Sequence, residues 1–199
     1  MTNNIVLAGV GGQGTVLATK ILAEGLAGIG YDVKMSEIHG MSQRGGSVSA
    51  HIRYGEKVYS PSIEEGGADV VLAFEKAEAL RGAWYLKRGG VLITDSREVY
   101  PLPVLTGAVR YPEGILEELK AKVKNVIVMN AYERAAALGN PKAQNMLLLG
   151  CLVSLLGLEK ADWKGIIERN VPQKASGINK KAFEEGLAFA RALKEDAER

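Results

Sequence analysis

Cysteine is nearly missing from this chain of 199 residues: one thiol, Cys151, is present. A single thiol closes no disulfide within the chain and cannot supply the thiolates that an iron–sulfur cluster or a structural zinc requires. Any redox metal the function needs is therefore expected on another polypeptide. Histidine is almost as scarce, with His39 and His51 alone. Neither charge sign dominates, since 25 Lys and Arg face 23 Asp and Glu for a net charge of +2. That balance excludes a nucleic-acid footprint and leaves only a local anion site. No apolar run approaches the roughly 20 residues that span a bilayer. Nor does Met1-Thr2-Asn3-Asn4 open a basic and then apolar targeting segment. No membrane association and a cytoplasmic location are expected. With 47% apolar and 24% charged residues, the composition excludes disordered and fibrous classes and points to one globular domain over residues 1–199.

Along the chain, residues 5–10 form a short apolar run that ends in glycines, and a small-residue helical pattern comes next over 15–27. Residues 31–37 read as a second strand, so the opening third predicts a βαβ unit with a parallel pair. Residues 47–54 alternate, with Val48, Ala50, Ile52 and Tyr54 on one face and Ser49, His51 and Arg53 on the other. Gly55-Glu56 is read as turning this strand back through residues 57–60 as an antiparallel hairpin. Further strands are expected at 68–74, 90–95 and 126–129, with helices over 75–87 and from near Pro112. Beyond Asn130 there are only helical patterns, from Ala131, Ala143, Lys160 and Asn179. The fold class predicted is α/β, Rossmann-like: a mostly parallel sheet with helices on both faces over 1–130 and a C-terminal helical cap over 131–199. The nearly continuous apolar stretch 147–158 predicts a helix buried all round, by this chain or by a partner.

Gly9-Val10-Gly11-Gly12-Gln13-Gly14 satisfies G-x-G-x-x-G, comes directly after a predicted strand and opens a predicted helix. Glycines allow the tight turn and the close backbone approach, while free N–H groups and the positive helix end near Gly14 and Thr15 attract a phosphate or carboxylate. A dinucleotide is one occupant, because Glu37 sits near the offset of an acid that holds ribose hydroxyls. A stand-alone NAD(P)-dependent dehydrogenase is therefore one reading. Glu37 leads, however, into a second glycine-rich segment, Ile38-His39-Gly40-Met41-Ser42-Gln43-Arg44-Gly45-Gly46, expected at the same strand ends. There Arg44 is suited to clamp a phosphate bidentately, with neutral hydrogen bonds from Ser42 and Gln43.

The remaining candidates read more plainly. The two histidines lack a third ligand at metal spacing, so no metal is assigned, and His39 is the better of the two for touching substrate or partner. Glu75 and Glu78, one helical turn apart, could pair at the strand-end crevice but better suit a helix N-terminus. Cys151 in the apolar helix reads as a buried inert thiol. Trp84, Tyr85 and Trp163 read as packing or interface anchors.

Several ordered motifs resemble the γ-type domain of the 2-oxoacid:ferredoxin oxidoreductases: the glycine loop, the segment from Glu37 to Val48, and His51-Ile52-Arg53-Tyr54-Gly55. Ala68-Asp69-Val70-Val71-Leu72-Ala73-Phe74-Glu75 and Asn145 within Gln144-Asn145-Met146-Leu147-Leu148-Leu149-Gly150 also match, and the run from His39 to Gly46 looks like the indolepyruvate branch. The resemblance implies the small subunit of an enzyme that decarboxylates an aryl 2-oxoacid with coenzyme A and ferredoxin. Pyruvate, 2-oxoglutarate and 2-oxoisovalerate are alternative substrates. It implies that thiamine diphosphate, magnesium and 4Fe–4S clusters belong to a large α subunit, with ferredoxin reached through the complex. On this chain it implies a coenzyme A crevice formed by Gly11, Gly12, Gln13, Gly14, Thr15, Ser42, Gln43, Arg44 and Asn145. Some relatives carry lysines where Gln43 and Arg44 stand.

Overall fold

The computed structural model describes residues 2–39, 45–197 and 199. Its elements are β1 (Thr2–Val10), α1 (Thr15–Gly28), β2 (Asp32–His39), β3 (Ser47–Gly55), β4 (Ala68–Ala73), α2 (Lys76–Gly82) and β5 (Leu86–Asp95). Then come α3 (Leu102–Leu105), α4 (Ile115–Lys122), β6 (Asn125–Met129), α5 (Ala131–Ala137), α6 (Gln144–Leu155), α7 (Trp163–Asn170) and α8 (Gln173–Ala197). Six strands form one sheet in the order β2-β3-β1-β4-β5-β6. Strands β1, β4, β5 and β6 run parallel, while β3 is antiparallel to both of its neighbours.

The apolar runs of the parallel strands are explained by burial on both faces. Ile5 and Leu7 of β1 join one cluster with α1, α6, α7 and α8, and Val6 and Ala8 join a second with α2 and α4. The helices after β1 and after β4 thus leave to opposite faces of the sheet. The switch point of this α/β sheet consequently lies between the C-terminal ends of β1 and β4, where ligands of such folds bind.

Two expectations about the sheet are corrected. The segment after Gly55 does not return as a hairpin arm: residues 57–60 are outside any strand, and β3 pairs instead with β2, from Asp32 opposite Gly55 to His39 opposite Val48. Strands β1 and β2 are likewise not a parallel pair, because β3 lies between them. Alternation along β3 reports one buried face, yet an interior strand of a sheet covered on both sides buries both. His51, on the face expected to be polar, is 4% exposed.

Helix α6 is buried from Gln144 to Ser154, and its cover is this chain's own α8. The two helices meet at glycines. A Cβ added at Gly150 would overlap the Phe183 carbonyl oxygen, and one added at Gly186 would overlap that of Leu147. Gly25 of α1 similarly gives room to Trp163, which is buried against Phe183 and donates through Nε1 to the Leu158 carbonyl at 2.8 Å.

Candidate functional site

The glycine loop joins β1 to α1 at the switch point, and local bonding explains its shape. Gly12 and Gly14 hold φ values of 99° and 80°, which only glycine adopts without strain. A Cβ at Gly9 would lie 2.6 Å from Thr15 Oγ1 and 2.9 Å from the Phe74 ring. Gln13 closes the turn: its Oε1 accepts from the Val10 amide at 2.7 Å, and its Nε2 donates to the Phe74 carbonyl at 2.9 Å. The side chain of Gln13 therefore ties the loop to the end of β4. Asn145, reaching across from α6, donates to the Gly14 carbonyl at 3.2 Å.

Two observations bear on what the loop can hold. No side chain caps the N-terminus of α1, and its first turn contains no acid. The orphan amides there keep their capacity for an anionic ligand. Thr15 Oγ1 and Asn145 Oδ1 are buried without a hydrogen-bond partner among the described residues, which is costly unless a ligand or water completes them. Beside this turn opens a crevice of about 620 Å³, lined by Gly11, Gly12, Gly14, Thr15, Lys20, Glu37 and Asn170 among others. Lys20 and Asn170 escaped the sequence reading. Lys20 carried a usable signal, because Val16, Leu17 and Lys20 share one face of α1 by their helical spacing, whereas Asn170 arrives from a distant helix.

Ser42, Gln43 and Arg44 lie outside the described residues, and so does the side chain of His39. The strand entering this loop ends at His39, and the strand leaving it starts at Ser47, whose predecessor Gly46 accepts from the Gly11 amide at 2.8 Å. The exit of the second loop is thus bonded to the glycine loop. Ser47 is held from below as well, donating at 2.5 Å to Glu78, whose carboxyl is pushed above the usual range by burial. Glu75 accepts from the Glu78 amide at 2.9 Å as the N-cap of α2, and it also binds the Tyr111 hydroxyl. Both acids stand at the N-terminus of α2, where their sequence position put them.

Glu37 lines the crevice, but the inserted β3 changes its meaning. It pairs with Ala50, so it stands two strand spacings, about 10 Å, from β1. A dinucleotide-binding acid occupies the strand next to β1, and that geometry is not reproduced here. His51 packs its ring against Tyr85 with centroids 4.9 Å apart, and its Nδ1 accepts from the Ile63 amide at 3.3 Å. Burial lowers its pKa, so it is a neutral core histidine. Cys151 is fully buried, its thiol pushed up to about 12 by burial.

A second concavity, of about 340 Å³, meets the first at Val10, Gly11 and Gly12 and is lined on its other side by Arg97, Tyr132, Lys142 and Gln144. Arg97, Tyr132 and Lys142 were not singled out in the sequence, and Gln144 entered only as part of the motif around Asn145. They converge from the β5–α3 connection, α5, a 3-10 turn and α6.

The whole chain compares closely with known proteins. Residues 4–189 match the family described as pyruvate ferredoxin/flavodoxin oxidoreductase. The indolepyruvate oxidoreductase subunit IorB of Pyrococcus horikoshii is 41% identical over 197 residues, with 96% of each chain covered. The protein of that name from Archaeoglobus fulgidus is 39% identical with 94% of each covered. A keto/oxoacid ferredoxin oxidoreductase gamma subunit from Geobacter sulfurreducens shares the fold with a TM-score of 0.69 at 24% identity, covering 96% of this chain and 99% of that one. A 2-oxoglutarate:ferredoxin oxidoreductase from Magnetococcus marinus, solved with 2-oxoglutarate, coenzyme A and succinyl-CoA bound, gives 0.72 at 22%, covering 96% of this chain and 31% of that one. With its family matched over nearly its full length and relatives this similar end to end, the chain belongs to the pyruvate ferredoxin/flavodoxin oxidoreductase family.

Proposed function

We propose that this chain is the small subunit of an indolepyruvate-type 2-oxoacid:ferredoxin oxidoreductase and that its glycine loop and the crevice beside it bind coenzyme A. The observation that carries the reading is the uncapped N-terminus of α1, opening on that crevice in a chain similar end to end to subunits named for indolepyruvate oxidation. The reaction is oxidative decarboxylation of an aryl 2-oxoacid to the aryl-acetyl thioester, with carbon dioxide released and ferredoxin reduced. Thiamine diphosphate, magnesium and the 4Fe–4S clusters are assigned to a large partner subunit, in keeping with a single buried thiol here.

The residues present fit a pyrophosphate. The amides at the start of α1 and the dipole behind them offset its charge, and glycine at 12 and 14 lets the backbone come close. Lys20 adds a cation to the crevice, and the unpartnered Thr15 hydroxyl adds a hydrogen-bonding group to its wall. Coenzyme A, when bound, supplies the thiol that receives the acyl group. The work of this chain is to bind the nucleotide end and orient the thiol toward the partner's reaction centre. Ser42, Gln43 and Arg44 are proposed as further phosphate-binding residues, His39 as a residue that touches substrate or partner, and the location as cytoplasmic.

The test is purification from native cells together with whatever binds. The expected result is a complex with a larger chain rich in ferredoxin-like cysteine motifs, which oxidises indolepyruvate only when coenzyme A and ferredoxin are supplied. Hydride transfer to a nicotinamide by the isolated chain would overturn the reading. Comparison of kcat/KM among indolepyruvate, pyruvate, 2-oxoglutarate and 2-oxoisovalerate assigns the substrate.

A further inference from the structure

The concavity on the far side of the glycine loop contains a prepared cation. Arg97 sits over the Tyr132 ring, its guanidinium carbon 3.7 Å from the ring centroid, and one terminal nitrogen donates to Gln144 Oε1 at 3.1 Å. Gln144 is itself buried and fixed, donating through Nε2 to the Phe74 carbonyl at 3.1 Å. The backbone carrying Arg97 is fixed as well. Asp95, fully buried, accepts from the amides of Arg97 at 3.3 Å, Ala131 at 3.2 Å and Tyr132 at 2.9 Å. Its carboxylate attracts Arg97 from a distance but spends its hydrogen bonds on backbone. Lys142 is exposed at the rim. Neither Arg97 nor Lys142 has a carboxylate within ion-pairing distance among the described residues. An arginine stacked and bonded on one edge, with its remaining donors uncommitted, is pre-organised for an anion with several oxygens.

We propose that Arg97 and Lys142 form a second anion subsite, across the glycine loop from the crevice, that takes a phosphomonoester. Such a group carries close to two charges and three acceptor oxygens, which suits a fork donor beside a point cation better than a single helix end does. The two concavities share Val10, Gly11 and Gly12, so one ligand with separated phosphoryl groups can occupy both. Coenzyme A is such a ligand: its pyrophosphate suits the helix N-terminus and its ribose monoester suits Arg97 and Lys142. That identification rests on the proposed coenzyme A function, whereas the subsite itself stands on the geometry of Arg97.

The experiment is titration calorimetry of the full chain, alone and with its large partner, using coenzyme A, dephospho-coenzyme A and adenosine 3′-monophosphate. Wild type is compared with Arg97→Gln, Lys142→Gln and the remote control Lys124→Gln, each checked for an unchanged unfolding transition. Wild type is expected to prefer coenzyme A over its dephospho form by about tenfold or more, the worth of one charge-assisted contact. Arg97→Gln and Lys142→Gln are expected to pull that ratio toward one by weakening coenzyme A alone, while Lys124→Gln leaves it intact. Because Lys142 is exposed, its variant remains informative even where Arg97→Gln disturbs folding. Equal affinities in wild type, or a ratio unchanged in both variants, overturn the subsite. Should no form of coenzyme A bind even to the complex, the coenzyme A reading falls. The subsite then stands if adenosine 3′-monophosphate binds and is lost in Arg97→Gln and Lys142→Gln, and it falls if that monoester fails to bind or is unaffected.

Discussion

At the scale of single residues, the glycines of the loop are not equivalent. Gly12 and Gly14 both hold left-handed backbone, but a Cβ at Gly12 meets no atom within 4 Å, whereas one at Gly14 would collide with Asn145 Nδ2. Gly12→Ala is therefore expected to cost about 1 kcal/mol from backbone strain alone. Gly14→Ala adds the displacement of Asn145 and is expected to cost about 2 kcal/mol or more. Denaturant midpoints of the two variants test this, and equal losses would remove Asn145 from the account. Asp95 gives the second prediction. Burial pushes its carboxyl up to about 6 from an ordinary 3.8, against the pull of the three amides. The folded state thus holds its proton more tightly than the unfolded state does. The contribution is most favourable below about 3.8 and is lost as pH rises through about 6, a difference on the order of 3 kcal/mol. Relative to Asp95→Asn, wild-type stability should fall between pH 4 and pH 7; a constant difference would show that Asp95 titrates normally. The glycine loop was legible in the sequence because its chemistry is contiguous. Arg97 and Tyr132 were not, since each sits in an unremarkable local pattern, and Gln144, although it opens the motif around Asn145, acquires this meaning only where three elements converge.

At the scale of elements, hydrophobic period gave strand existence and direction of burial but not neighbours. Residues 47–55 alternate well enough to be read as a strand, yet alternation says nothing about which strand completes the ladder. Pairing of β3 with both β1 and β2 is long-range information, and it moves Glu37 away from β1 and with it the dinucleotide reading. The exposure of His51 was misjudged for the same reason, as period two cannot distinguish an edge strand from an interior one. The helical packing carries a sharper consequence. Gly150 and Gly186 let α6 and α8 approach backbone to backbone. Alanine is the better helix former by about 1 kcal/mol, so propensity alone predicts that Gly150→Ala stabilises. The Phe183 carbonyl occupies the space that the methyl would need. Overpacking of about 1–3 kcal/mol is larger, and net destabilisation is expected. Gly177 in the same long helix α8 is exposed, with nothing within 4 Å of its added Cβ, so Gly177→Ala should stabilise by up to about 1 kcal/mol. Opposite signs in thermal unfolding of the two variants are the expected outcome; matching signs would refute the close helix contact.

At the scale of the whole molecule, the one thiol becomes a probe of cooperativity. Cys151 sits mid-way along α6, and that helix links the sheet, α8 and, through Gln144 and Asn145, the glycine loop. With no exposed surface and a thiol pushed up to about 12, it cannot react from the native state with a disulfide reagent at pH 8. Labelling must wait for an opening, and the size of that opening is measurable. If α6 opens only with the rest of the core, the labelling rate should track the global unfolding equilibrium as denaturant is added, with the same dependence on its concentration. Labelling that ignores denaturant would instead mean that α6 and α8 part locally, and the shared core cluster argues against that. The same measurement reports the site. A ligand that binds only the folded chain stabilises it by about 2.7 kcal/mol at 100 times its dissociation constant, so coenzyme A at that level should slow global-opening labelling by about 100-fold. Slowing would require that closing the crevice and holding α6 are one cooperative event, as expected where Asn145 of α6 bonds the very glycine that starts α1.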